Sequence, residues 1–416
     1  FPYHVGGTSD VRVHLKTDIE FVTKTIWDVI TTIDGAVEPD RWVVLGNHRD
    51  AWVFGAVDPN SGTTAMIELG RGLGQLMKAG WKPRRTIVLC SWDAEEQGLI
   101  GSTEWAEEKA AELKEKAVAY LNMDVAVSGP NFGASAVPSM WNLIYDAARD
   151  VRDPKSGSSI FESWRARAWE GTPESNRYDA NGNEKSAPAP RIGPLGSGSD
   201  YTPFLQHLGV PSLDMGFGGD YGVYHSAYDS FYWMTHFGDP NFQYHVAAAQ
   251  IWGTVTLRMA DSQALPLDYT DYATELRNFV DETVRMANRK KLGNSFDAKP
   301  MLKAVDDFAV EAQKIAKRRS DLERDSSAQS TERLRHLNDA LMQAERAFID
   351  ARGLRGRTWY KHQIYAPGFY TGYAALPLPD LRQALEDGRA ADAAEAARSI
   401  TAAIDRATEV LRKGRD

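Results

Sequence analysis

Cysteine is nearly absent from this sequence. Cys90 is the only one in 416 residues, so no disulfide can form within the chain and cysteine usage leaves the redox compartment open. Cys90 lies in the apolar run Thr86-Ile87-Val88-Leu89-Cys90, which predicts a buried, inert thiol. An excess of basic residues is also missing. Lys and Arg number 48 against 57 Asp and Glu, and a net charge of -9 gives no field to neutralise phosphates, so a nucleic-acid partner is excluded. No apolar run is long enough to span a bilayer, and no signal segment opens the chain. Phe1 to Gly7 reads like the middle of a domain, so an N-terminal part, with any signal or anchor, is expected to be missing.

What is present is ordinary globular material, 43% hydrophobic and 25% charged, with length for at least two domains. Val11 to Ile33 carries alternating and β-branched stretches that suggest a hairpin or sheet edge. Strand and helix signals then alternate. Arg41 to Gly46 predicts a buried strand and Ser61 to Ala79 a helix. Arg85 to Trp92 predicts a second strand and Ser102 to Lys116 a second helix. A third strand, Ala117 to Met123, precedes a third helix over Val137 to Arg149. This alternation predicts an α/β fold, a mostly parallel or mixed sheet flanked by helices. Asp153 to Gly198, rich in Ser, Pro, Gly and Asn, reads as a long surface excursion. A strand at Pro211 to Met215 and a helix from Phe242 to Asp261 follow. Beyond a boundary near Pro266 the chain predicts an all-helical domain: Tyr269 to Lys291, Lys303 to Ser320, Ser327 to Arg352 and the Ala-rich Arg389 to Arg412. The domains expected are therefore 1–265 and 266–416. The alanine faces suit either helix-on-helix packing or a dimer interface.

In an open parallel sheet, ligands gather at the carboxyl ends of strands. The first strand ends in Gly46-Asn47-His48-Arg49-Asp50, the second in Asp93-Ala94-Glu95-Glu96, the third in Asn122-Met123-Asp124. A turn adds Asp58, and a Gly- and Tyr-rich loop adds His225. Imidazole with carboxylate is a zinc donor set. Asp58, a short carboxylate on a turn, suits a bridge between two ions, with His48 and Asp124 completing one site and Glu96 and His225 the other. Asp50 is placed to orient the His48 ring, and Glu95 to take a proton from water activated by metal. Each residue alone has a plainer reading: a surface histidine, a helix-start Glu pair, an Asp-Pro turn, a capping Asp. Their coincidence at one sheet edge favours the metal reading.

These segments, with Pro83-Arg84-Arg85-Thr86, Leu195-Gly196-Ser197-Gly198-Ser199-Asp200, Tyr224-His225-Ser226 and His362 to Pro367, resemble the glutamate carboxypeptidase II and transferrin receptor family of dinuclear zinc exopeptidases. The likeness covers nearly the whole chain. It implies two zinc ions on His48, Asp58, Glu96, Asp124 and His225, with Glu95 as general base and Tyr224 steadying the tetrahedral intermediate. It also implies that Ser197, Gly198, Ser199 and Tyr373 line the substrate path, and a cis peptide at Asp58-Pro59. Glu104 and Glu107 match family calcium positions, though as solvated helix charges they need no ion. The resemblance also implies that the family's apical domain and first protease strands fall outside this sequence. An ectodomain, periplasmic or extracellular location and a homodimer through the helical domain are implied as well. Gly372-Tyr373, Asp214 and Gly216 stand where glutamate-selective members carry cations, so strong preference for a glutamate product is not expected. The expected function is hydrolysis of terminal peptide bonds of small peptides. Two alternatives are a metal-free binding protein of the transferrin receptor type and a zinc amidase or deacylase.

Overall fold

A computed structural model describes residues 6–7, 10–179, 185–325 and 328–415. Of the segment Phe1 to Gly7, only the two glycines lie among the described residues.

Six strands form one sheet in the order β1-β3-β2-β4-β6-β5. They are β1 (Val29–Ile33), β2 (Glu38–His48), β3 (Arg85–Trp92), β4 (Ala117–Asn122), β5 (Asn131–Ala136) and β6 (Ser212–Gly218). The four central strands run parallel, while β1 and β5 close the edges antiparallel. Val43, Val44, Leu45, Ile87 and the whole of β4 are buried, as expected for strands covered on both faces. The covering helices are α1 (Asn60–Lys78), α2 (Ile100–Glu108), α3 (Ala110–Lys116), α4 (Trp141–Asp150), α5 (Ile160–Glu170), the short α6 (Glu174–Arg177) and α7 (Phe231–Trp233), and α8 (Gln243–Asp261).

The helical part follows as α9 (Thr270–Arg289), α10 (Lys299–Arg324), α11 (Ala328–Ala344), α12 (Pro379–Glu386) and α13 (Ala390–Arg415). On α13 the residues Ala393, Ala396, Ile400, Ala403, Ala407 and Leu411 are buried. The helix packs on α10, α11 and α12, so its alanine face is used inside the chain. A Cβ built on Gly414 would lie 2.1 Å from the Ala340 methyl on α11, a measure of how closely the two helices approach.

Three expectations need correction. Val11 to Leu15 forms no hairpin; the segment is exposed and irregular, and the sheet edge is β1, paired with β3 from Val29↔Ser91 onward. The helix expected over Ser102 to Lys116 is broken at Lys109 into α2 and α3. The Asp153 to Gly198 excursion is not all loop. It contains α5, whose Trp164 is buried, and the Ser159 side chain accepts the Glu162 amide at its start.

Candidate metal centre

Parallel strands deliver their following loops to one edge of the sheet, and here that edge collects imidazole and carboxylate. His48 is the last residue of β2, Glu95 and Glu96 lie in the turn after β3, and Asp124 follows β4. Asp58 sits in the turn leading into α1, ahead of a cis peptide to Pro59, and His225 in the loop after β6.

The side chains form two triads, His48 with Glu95 and Asp124, and Asp58 with Glu96 and His225, whose ligand atoms lie within 4.8 Å of one another. His48 Nε2 is 2.8 Å from Asp124 Oδ1, 3.3 Å from Asp58 Oδ1 and 3.8 Å from Glu95 Oε2. His225 Nε2 is 3.1 Å from Asp58 Oδ2 and 3.3 Å from Glu96 Oε2. Asp58 thus turns one oxygen to each histidine, joining the triads.

Electrostatics show what the cluster lacks. His48 Nδ1 faces the Asp50 carbonyl at 3.0 Å, and a carbonyl only accepts, so Nδ1 carries a proton and Nε2 meets the carboxylates. The Glu95 carboxyl is pushed far up by burial and by Asp124 and Asp200. Glu96 is pushed up to about 7 by burial and by Asp58. Its Oε1 is buried with no hydrogen-bond partner among the described residues. Buried carboxylates crowded around two imidazoles, with no Lys or Arg in ion-pair distance among the described residues, fit divalent cations. The mixture of two imidazoles with carboxylates is one that zinc accepts.

Other side chains hold these in place. The Asp50 carboxylate accepts the amides of Glu95 and Glu96, each at 3.1 Å. Its carbonyl is nearer the His48 ring than its carboxylate, which is 3.5 Å away. Asp50 therefore secures the Glu95-Glu96 turn as well as the imidazole. Ser199, expected to line the substrate path, borders a cavity but spends its hydroxyl on Asp124 Oδ2 at 2.6 Å. Asp229 escaped the sequence reading. It is buried, and its two oxygens accept the amides of Val57 and Asp58 at 2.9 and 3.1 Å. Nothing in Tyr228-Asp229-Ser230 distinguishes it from a solvated loop carboxylate.

Two cavities flank the cluster. One, of about 680 Å³, is bordered by Trp52, Glu95, Glu96, Ser197, His225 and Tyr373. The other, of about 430 Å³, is bordered by Asp58, Asp124, Ser199, Asp214, Arg167 and Tyr224. Gly198 borders both. Its φ is +151°, and a Cβ there would lie 2.6 Å from the Tyr373 ring, so only glycine fits this wall. Tyr224 stacks on the His225 ring at 3.6 Å and is half exposed, its hydroxyl pKa raised by burial and by a hydrogen bond with Tyr373. Glu104 and Glu107 lie exposed on α2, outside both triads. Glu107 accepts the Trp359 indole N–H at 2.6 Å. Among the described residues, no helix is long and apolar enough to cross a membrane.

Two family models match the chain. Peptidase family M28 matches residues 28–236, about half of it, and the transferrin receptor-like dimerisation domain matches 296–412. The sequence is 47% identical over 388 residues to the probable glutamate carboxypeptidase LAMP1 of Arabidopsis thaliana, covering 93% of this chain and 53% of that protein. It is 38% identical over 418 residues to a probable glutamate carboxypeptidase of Arthroderma benhamiae, covering 98% and 54%. It is 37% identical over 370 residues to aminopeptidase NAALADL1 of Mus musculus, covering 86% and 48%. The chain spans about half the length of the curated relatives it matches.

Proposed function

Because this chain belongs to peptidase family M28 and carries a transferrin receptor-like dimerisation domain, we propose that it is a zinc exopeptidase acting on small peptides. The observation that carries the reading is the pair of triads joined by the two oxygens of Asp58. His48 and Asp124 would hold one zinc ion and Glu96 and His225 the other, with Asp58 placed to serve both. When bound, the two ions supply Lewis acidity that makes water nucleophilic near neutral pH and polarises the scissile carbonyl.

The chain's own residues do the rest. Glu95 is buried and lies on the His48 side of the cluster. Such a carboxylate accepts the proton of the attacking water and returns it to the departing amine. The Tyr224 hydroxyl, held at the cavity rim by its stack on His225, donates a hydrogen bond to the developing oxyanion. The helical part supplies the surface on which a second copy docks. Glu104 and Glu107 lie outside both triads and take no part in the proposed reaction.

Replacing Glu95 with Gln tests the reading, because it removes the proton acceptor and leaves the five ligands in place. Peptide hydrolysis is expected to fall by about 10²- to 10⁴-fold with zinc content unchanged. Undiminished turnover in that variant removes Glu95 from the reaction. Wild-type protein purified without zinc, manganese or cobalt favours the binding-protein alternative.

A further inference from the structure

The proposed function leaves open which end of the peptide is recognised, and the two cavities differ in a way that bears on it. Glu95, the group that returns a proton to the departing amine, borders the larger cavity and not the smaller. The amine-bearing product therefore leaves through the larger cavity, and the residue that supplied the scissile carbonyl occupies the smaller one.

The smaller cavity is charged unequally along its length. Near the cluster stands Asp214 of β6. Its carboxylate accepts the Asn122 amide at 2.9 Å and the backbone amides of Asp124 and Met215. Among the described residues it has no cation within ion-pair distance. Three amide donors fix the carboxyl, which burial and Asp124 push up to about 7 while no cation among the described residues faces it. At the far end is Arg167 of α5, which donates to Asn131 Oδ1 at 3.3 Å and to the Phe132 carbonyl. Asp214 pairs with Ser135 across β5 and β6, and Asn131 lies four steps along β5 from Ser135, roughly 13 Å away. Between them Gly133 leaves open space where a side chain would project.

Resting on the zinc peptidase reading, we propose that Asp214 makes this cavity a site for an amino-terminal residue, its carboxylate pairing with the substrate's free α-ammonium. The protein is then an aminopeptidase. An acylated amino end offers Asp214 no positive charge, and burying an amide against a fixed carboxylate leaves that charge uncompensated. The first residue's side chain extends over Gly133 toward Arg167.

The test compares paired substrates with zinc-loaded protein, aminoacyl p-nitroanilides against their N-acetyl counterparts. Free-amine substrates are expected to show kcat/KM at least 100-fold higher. Asp214→Asn is expected to raise KM for them at least 10-fold, with little effect on kcat or on any N-acetyl substrate. A second readout needs no turnover. Calorimetry on the zinc-free protein is expected to show leucinamide binding and N-acetyl-leucinamide not binding, a difference that Asp214→Asn erases. N-acetyl substrates cleaved as well as free amines overturn the proposal. So does cleavage of N-acetyl acidic residues that depends on Arg167 and not on Asp214. If no substrate is turned over but leucinamide still binds selectively, the peptidase reading fails while the amine site stands. Equal binding of the two amides sinks the site.

Discussion

Asp229 spends both carboxylate oxygens on the amides of Val57 and Asp58, fixing the turn from which Asp58 faces both histidines. Replacing it with Asn turns one acceptor into a donor aimed at an N–H. Outer groups of this kind are typically worth 10- to 100-fold in metal affinity. Asp229→Asn is therefore expected to weaken zinc binding by about that factor in a competitive chelator titration, with activity recovering in excess zinc. An unchanged affinity would show that the Asp58 turn holds itself. His48, Asp58, Glu95, Glu96 and Asp124 were legible in the sequence because each follows a strand or opens a turn, and topology alone sends them to one edge. Asp229 and the hydroxyl of Ser199 were not, because their roles are hydrogen bonds across 171 and 75 positions of chain that only the folded loops create.

Among the elements, α1 is seated against the ends of β2 and β4 by the absence of a side chain at Gly62. A Cβ there would stand 2.3 Å from Asn47 Nδ2 and the Met123 carbonyl, and 2.4 Å from the Asp124 carbonyl. Gly62→Ala must move the backbone next to two ligands. It is expected to cost about 1–3 kcal/mol in denaturant unfolding and to lower zinc affinity in parallel. Full stability and affinity would mean that the helix shifts freely. The central strands and long helices could be read from apolar runs and helical spacing. The antiparallel β5 could not, since Asn131-Phe132-Gly133-Ala134-Ser135-Ala136 has little strand propensity and owes its conformation to pairing with β6. Helix α5 did carry a signal, Ser159 followed by Glu162, which the Ser and Gly around it obscured.

At the scale of the whole molecule, the Ala-rich helix α13 was compatible with either a bundle core or a dimer contact. Ala393, Ala396, Ala397, Ala403 and Ala407 are buried in the helix's packing on α10, α11 and α12, while Ala390, Ala391 and Ala402 stay exposed, so α13 serves the bundle and still presents a surface. Light scattering is expected to give twice the 46.2 kDa chain mass, and a monomer at micromolar concentration would remove the dimer from the account. Everything said of catalysis depends on two cations held by five side chains from separate parts of one sheet edge. The direct measurement is zinc stoichiometry, by elemental analysis of metal-free protein reconstituted with zinc and desalted. The account predicts two zinc ions per chain, reduced to one or none when Asp58 is replaced by Ala. Two ions retained in that variant, or none bound by the wild-type protein, would contradict it.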